Sequence, residues 1–220
     1  MLTTQCTLYG SPSSARLFLQ PVDEHDLSLM ESEAAAVGEL CGHGDWCIAA
    51  VPVGDWWSDL TPWPAPPVFG KTPFGDGAVQ SLAALLGDIL PALDRDHPAA
   101  GRAYYLCGYS LAGLFALWAA TQTDRFRGVA GVSPSVWYPG WLDYARANPT
   151  RAGAVYLSLG DREERAKNPV MAAVGDAVRA QHRLLESAGV PSQLDWNPGN
   201  HFRDSDLRVA KGIAWLLGQI

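Results

Sequence analysis

Short, almost wholly apolar runs alternate with helical patterns along most of this chain. Cys47–Val53 and Ala154–Leu159 contain few polar residues and are too short for buried helices, so each predicts a strand covered on both faces. Asp26–Leu40 and Val170–Ala188 instead carry apolar residues at helical spacing. Alternation of this kind predicts an α/β fold, a mostly parallel, doubly wound sheet with helices on both faces.

The other elements follow from the same patterns, except between Gly54 and Gly75, where proline and glycine exclude regular structure. A loop of this length in a compact domain is usually functional. Further strands are predicted at Leu17–Val22, Tyr104–Cys107, Gly128–Val132 and Ser192–Trp196, and further helices at Asp76–Leu93, Leu111–Ala120 and Leu207–Leu217. Ligands bind at the carboxyl ends of parallel strands, so we expect functional residues directly after Val53, Cys107, Val132, Leu159 and Trp196.

Composition limits the class of protein. The 220 residues are 48% hydrophobic and 18% charged, which supplies a sizeable core and excludes a disordered chain. At this length we expect one domain over residues 1–220 without a separate cap domain.

A net charge of −7 argues against nucleic-acid and anionic-membrane partners, and it leaves the oligomeric state open. The N-terminus has no secretory pattern and the four cysteines form no C-x-x-C pair, so we expect a cytoplasmic protein.

One uncharged segment, Ala103–Thr123, is long enough to cross a bilayer. It contains several tyrosines, serines and threonines, and Gly108 interrupts it near its middle. A strand, a sharp turn and a helix joined end to end explain these features better than a membrane span does.

The turn in that segment has the sequence GYSLAG from Gly108 to Gly113. A strand that turns sharply into a helix holds a central serine in a strained conformation and requires small neighbours on both sides, which Gly108 and Ala112 provide. The turn places the Ser110 hydroxyl at a helix N-terminus, where free N–H groups favour a developing anion. A serine N-cap is the structural alternative, but the strand before and the helix after favour a nucleophile.

An acid and a base follow two later strands. Asp161, Glu163 and Glu164 come after Leu159, and the spacing from the strand favours Glu163 as the residue that orients an imidazole, with Asp161 as the alternative. His201 lies on a Pro- and Gly-containing loop before the last helix, whereas surface or capping roles are predicted for His25, His43, His97 and His182. The chain order serine, acid, histidine is that of α/β-hydrolases.

The segments GYSLAGLFALWAA, VSPSVWYPGW, YLSLGDREE and NPGNHF resemble the putative-esterase branch of the α/β-hydrolase superfamily, which includes esterase D-type and enterochelin esterase-like enzymes. The resemblance implies an α/β-hydrolase fold, a small-molecule ester substrate, Ser110 as nucleophile, His201 as base and a carboxylate after Leu159 as the third member. The chain departs from relatives that carry an HGGG motif, because GDWWSDL stands after Val53.

On this interpretation, backbone N–H groups of Leu111 and Trp56 form the oxyanion hole. Trp56, Trp57, Trp63, Trp137 and Trp141 lie in loops at the expected active-site end and either line a substrate pocket or pack over the sheet edge. The sequence implies no metal and no organic cofactor, since it has no G-x-G-x-x-G motif, no P-loop and only scattered histidines. An acyltransferase and a non-catalytic binding protein on the same scaffold remain as alternatives.

Overall fold

The computed structural model describes residues 2, 5–41, 44–68 and 70–219. Within these residues, seven strands form one sheet in the order β1-β3-β2-β4-β5-β6-β7. Strands β2 to β7 are parallel to one another, and β1 pairs antiparallel with β3 at the edge. The strands are β1 (Thr7–Gly10), β2 (Arg16–Val22), β3 (Cys47–Pro52), β4 (Ala103–Tyr109), β5 (Phe126–Val132), β6 (Ala154–Gly160) and β7 (Ser192–Asn197).

Helices cover both faces of the sheet, which confirms the doubly wound α/β prediction. The described α-helices are α1 (Glu24–Cys41), α2 (Trp56–Asp59), α3 (Ala78–Ala84), α4 (Leu90–Asp96), α5 (Leu111–Gln122), α6 (Trp141–Ala147), α7 (Pro169–Ala172), α8 (Val174–Ser187) and α9 (Ser205–Leu217). Helices α1 and α9 share one apolar core with one set of strand residues, and α3, α5, α6 and α8 share a second core with the alternate set. In β2, for example, Phe18 belongs to the first core and Leu17 and Leu19 to the second, as the alternation of side chains along a strand requires.

The uncharged segment Ala103–Thr123 divides into β4, a turn at Ser110 and helix α5, as predicted. Every residue of α5 except Gln122 is buried, because the helix lies between the sheet and the helices outside it. The apolar sequence of α5 therefore matches its buried position at the centre of the fold and does not indicate a membrane span. In the described part of the chain, no helix is long and apolar enough to span a membrane.

Two predicted helices are interrupted. The helix predicted at Asp76–Leu93 begins with Gly77 as its N-cap and contains a π-helical turn, Leu85–Ile89, between α3 and α4. Pro91 explains the turn, because proline has no N–H to donate to the carbonyl one turn earlier and so interrupts the α-helical hydrogen bonds. Directly before it, the Leu90 N–H bonds to the carbonyl of Leu85, five residues earlier, as in a π-helix. The helix predicted at Val170–Ala188 is interrupted at Ala173 and forms α7 and α8.

The Gly54–Gly75 segment contains more regular structure than predicted. The Asp55 carboxylate accepts the N–H groups of Trp57 and Ser58 and thereby caps α2. Ala65 and Phe74 pair as an isolated antiparallel bridge, and the buried Thr61 hydroxyl bonds to the carbonyls of Trp57 and Gly75. Hydrogen bonds between its own residues thus order the segment internally, which proline and glycine counts do not reveal.

Candidate active site

Ser110, the predicted nucleophile, lies in a strained turn between β4 and α5. Ser110 has φ 56° and ψ −118°, a backbone conformation that residues other than glycine rarely adopt. The turn depends on a close approach of strand and helix, since a Cβ on Gly108 would lie 2.4 Å from the carbonyl carbon of Ala112. The Ser110 N–H donates to the Val132 carbonyl of β5, which fixes the turn to the neighbouring strand. The hydroxyl therefore lies at the carboxyl end of the sheet.

His201 joins this serine to a carboxylate. Its Nε2 lies 3.1 Å from the Ser110 Oγ, and its Nδ1 lies 2.7 Å from the Glu163 Oε2. The imidazole is held on the loop between β7 and α9 and is 24% exposed, so a small molecule can reach it. The three residues that the sequence singled out thus form one continuous chain of hydrogen-bonding contacts.

The Glu163 carboxylate is buried, and both of its oxygens have hydrogen-bond partners. It lies in a short 3₁₀ turn, Glu163–Arg165, and its Oε1 accepts from the Gly160 N–H at 2.8 Å, the Ser133 hydroxyl at 2.7 Å and the Arg208 guanidinium at 3.0 Å. Burial by itself raises the pKa of Glu163, but the hydrogen bond and positive charge of His201, with the Ser133 and Gly160 donors, outweigh it and the pKa is lowered. Glu163 is therefore an ionised carboxylate whose Oε2 contacts His201 while its Oε1 accepts the other three hydrogen bonds.

The two neighbouring acidic residues lie elsewhere. The Asp161 carboxylate accepts the Gly199 N–H at 2.8 Å and so supports the loop that precedes His201. Glu164 pairs with Arg179 at 2.9 Å, with both side chains more than a third exposed. Of the three candidate acids, Glu163 is the one that lies against the imidazole.

Four polar residues near Ser110, His201 and Glu163 were not identified from the sequence. The Tyr109 hydroxyl donates to the His201 carbonyl at 2.6 Å, and burial raises the pKa of Tyr109 to about 12, so it keeps its proton. The hydroxyls of Ser135 and Ser110 lie 3.4 Å apart. Two sequence features could have identified them. Ser133 and Ser135 follow β5, where functional residues were expected, and Arg208 is a charged residue on an otherwise apolar helix face.

The remaining histidines have peripheral positions in the described residues. His25 is exposed near the start of α1, His97 is the C-cap residue of α4, and His182 lies 3.8 Å from Glu186 on α8. His43 lies outside the described residues. Among residues 2, 5–41, 44–68 and 70–219, no group of three or more His, Cys, Asp and Glu side chains is arranged to hold a metal ion.

The predicted oxyanion donors are the first residues of two helices. Leu111 begins α5 directly after Ser110, and the N–H of a residue at that position has no carbonyl one turn earlier to bond. Trp56 begins α2, where the Asp55 carboxylate accepts the next two N–H groups and the Asp59 carboxylate accepts that of Asp55. Both donors lie after carboxyl ends of strands, and their role stays a prediction.

The tryptophans divide into two groups. Trp141 is 1% exposed, and its Nε1 donates to Gln181 at 2.9 Å, so of the two roles that the sequence left open the structure gives it a packing role, in the core where α6 meets α8. Trp57, Trp63 and Trp137 are half-buried. Phe74 lies between two of them, 5.7 Å from Trp57 and 6.1 Å from Trp137 between ring centroids. The Trp63 Nε1 donates to the Pro139 carbonyl at 2.8 Å.

Comparisons with known proteins agree with this fold. Residues 38–205 match the family model described as putative esterase. An IroE-like serine hydrolase from Shewanella oneidensis superposes with a TM-score of 0.75 at 16% identity, covering 93% of this chain and 71% of that one. The siderophore hydrolase EstA from Aspergillus nidulans gives a TM-score of 0.70 at 18% identity, covering 95% and 84%.

A third structure, the enterobactin esterase of Shigella flexneri, superposes with a TM-score of 0.68 at 15% identity, covering 100% of this chain and 59% of that one. No curated protein sequence matches the chain significantly. The structural matches confirm the predicted α/β-hydrolase fold.

Proposed function

The chain belongs to the putative esterase family and is a carboxylic-ester hydrolase, and on this premise we propose that it works through an acyl-enzyme formed on Ser110. The observation that carries the proposal is the unbroken contact chain from the Glu163 carboxylate through His201 to the Ser110 hydroxyl. A nucleophile, a base and an orienting acid within hydrogen-bond reach are what nucleophilic catalysis of acyl transfer requires.

In the first step, the His201 Nε2 takes the hydroxyl proton as the Ser110 Oγ attacks the ester carbonyl. The negative charge that develops on the carbonyl oxygen is held by the N–H groups of Leu111 and Trp56. Loss of one such donor typically raises the barrier by about 2.7–4 kcal/mol. The imidazolium then returns its proton to the departing alkoxide, and an alcohol leaves.

In the second step, His201 removes a proton from water, which attacks the acyl-enzyme and releases the carboxylic acid. Glu163 keeps the imidazole in the tautomer with its proton on Nδ1 and stabilises the imidazolium in both steps. The carboxylate stays ionised throughout, in keeping with its lowered pKa.

For the substrate, we propose a small-molecule ester bound beside the half-buried aromatic residues Trp57, Trp63 and Trp137. Two of the structural neighbours are a siderophore hydrolase and an enterobactin esterase. Siderophore esters are therefore the first class to test, together with short acyl esters, acetylated sugars and thioesters. Added alcohols distinguish hydrolysis, which yields free acid, from acyl transfer, which yields a new ester.

The proposal is tested with Ser110→Ala and a fluorophosphonate probe that labels active serines. We expect Ser110→Ala to lose several orders of magnitude in kcat, because no other group replaces a triad nucleophile, and mass spectrometry to locate the label on Ser110. Ser28→Ala, which removes an exposed hydroxyl on α1, serves as the matched control and should keep full activity. Hydrolysis at the wild-type rate by folded Ser110→Ala would refute the proposal.

A further inference from the structure

Arg208 is the most deeply buried cation described near the triad. It lies in α9, is 1% exposed, and directs one guanidinium nitrogen at three oxygens. The Nη1 atom lies 3.0 Å from the Glu163 Oε1, 3.1 Å from the Ser133 Oγ and 3.2 Å from the Tyr109 hydroxyl. On this side Arg208 holds the acid of the triad and the tyrosine that bonds to the His201 carbonyl.

The second terminal nitrogen holds the loop that carries the base. The Nη2 atom donates to the Asn200 carbonyl at 2.9 Å and to the Pro198 carbonyl at 3.2 Å. The guanidinium also packs on Gly160, since a Cβ there would lie 3.0 Å from both terminal nitrogens. One planar group thus contacts the acid and the backbone on the N-terminal side of His201.

A buried ion pair is costly to form, and apolar residues of similar volume often stabilise a fold equally well or better. Stability alone is therefore a weak explanation for a charged side chain between α9 and the sheet. The position of this group, between the acid and the base of one catalytic unit, supplies a different reason.

We propose that Arg208 is a positioning residue: it locks the Glu163 carboxylate and the His201 loop in one arrangement, and its charge favours the neutral imidazole between proton transfers. This inference rests on the proposed Ser110 mechanism. Arg208 does not touch the Ser110 hydroxyl and acts through Glu163 and His201. Asp26 on α1 interacts electrostatically with His201, and the protonated Tyr109 on β4 donates a hydrogen bond to the His201 carbonyl.

The sign of the electrostatic effect follows from the charges. The Glu163 carboxylate favours a protonated His201, and the guanidinium opposes it. Without the guanidinium, the imidazole holds its proton to higher pH, so the rise of kcat with pH, which depends on neutral His201, occurs at higher pH. We call this rise the acid limb of the pH–rate profile. A residue that only supported the fold would lower kcat without moving the acid limb.

The experiment compares kcat and KM across pH for Arg208→Gln and Arg208→Lys. Both variants should lose kcat, about 100-fold for Gln and about 10-fold for Lys, because the acid and base lose their fixed geometry. KM should be unchanged. The acid limb should move up by about one pH unit in Arg208→Gln, a tenfold change in the proton equilibrium, and stay in place in Arg208→Lys, which keeps the charge.

Arg179→Gln is the matched control, because it removes an arginine from a Glu pair of similar length at the surface. It should leave kcat and the acid limb unchanged. If Arg208→Gln does not fold, Arg208→Lys decides by two readouts: its kcat, and the low-field proton resonance of the His201 Nδ1–H. That resonance should broaden in Arg208→Lys and stay sharp in Arg179→Gln.

An unmoved acid limb in folded Arg208→Gln would overturn the inference, and so would wild-type kcat in Arg208→Lys. If Arg208→Gln does not fold, either wild-type kcat or a sharp resonance in Arg208→Lys overturns it. A fully active Ser110→Ala would instead refute the underlying mechanism. The two failures are therefore distinguishable.

Discussion

At the scale of single residues, the local backbone decides which of three acidic side chains contacts His201. Asp161, Glu163 and Glu164 are nearly adjacent in sequence, yet they bond to the His201 loop backbone, the His201 ring and a surface arginine, respectively. The 3₁₀ turn at Glu163–Arg165 directs the first of its side chains inward and the next outward. The local turn, and not the amount of acidic charge, selects the acid.

Amide substitutions of the three acids should separate sharply. Glu163→Gln should lower kcat about 10⁴-fold, because the amide no longer holds the imidazole in its catalytic tautomer. Asp161→Asn should be mild, since the amide oxygen can still accept the Gly199 N–H, and Glu164→Gln should have almost no effect at the surface. Steady-state kinetics on the three purified variants measure this. Three mild effects would mean that a serine–histidine dyad suffices.

At the scale of elements, the strand–turn–helix unit of β4 and α5 positions Ser110, the proposed nucleophile. Its geometry requires the backbone of Gly108 to lie against that of Ala112, and Ser110 to adopt a positive φ. The surrounding sheet and helices hold the unit in place, since β4 pairs with both β2 and β5 and α5 is buried along its length. The strained conformation of Ser110 is thus maintained by packing.

Gly108→Ala should therefore damage both stability and activity. The added methyl overlaps backbone, so we expect a loss of about 1–3 kcal/mol in the free energy of unfolding and a large fall in kcat. Gly87→Ala is the matched control: it lies in the helix interior with nothing within 4 Å of a new Cβ, and it should gain about 0.5–1 kcal/mol. Thermal unfolding and kinetics test both. Equal stability of the two variants would contradict the close-approach argument.

At the scale of the whole molecule, the apolar core on the α1 side of the sheet borders a buried acid, Glu33, that takes no part in the proposed mechanism. Glu33 of α1 is 3% exposed, and its carboxyl accepts from the Gln20 side chain of β2 at 3.1 Å. Burial raises the pKa of Glu33 to about 8, with smaller contributions in the same direction from Asp26 and Asp206. Burial likewise raises the pKa of Asp26 to about 7. The folded protein therefore carries protons that the unfolded chain releases at lower pH.

This predicts that stability falls as pH rises. An unfolded Glu33 ionises near pH 4.5 and the folded one near 8, so between these values the native state binds more protons and the free energy of unfolding decreases. We expect the Tm to fall between pH 5 and 8, by about 2–4 °C for each kcal/mol lost. Glu33→Gln, which cannot ionise, should show a smaller fall and a higher Tm than wild type at pH 9. A Tm profile unchanged by that substitution would contradict the assignment.

The sequence by itself determined the strand–helix alternation, the strained turn at Ser110, and His201 on the loop before the last helix. Each is written in a local pattern, an apolar period or a set of small and turn-forming residues within about ten positions. The buried Cys47 and Cys107 follow from the same runs. By contrast, edge strand β1 and helix α6 have no local signal of comparable strength and were not predicted from the sequence.

The tertiary structure alone decided which contacts link distant positions. Glu163 bonds to His201 across 38 residues and Arg208 bonds to Glu163 across 45, and Trp141 turned out to lie in the core. No periodicity specifies these pairs, because the distance between two side chains in different elements depends on strand order, loop conformation and packing together. The sequence therefore placed the candidate residues at one end of the sheet, and the packing of that end fixed which of them touch.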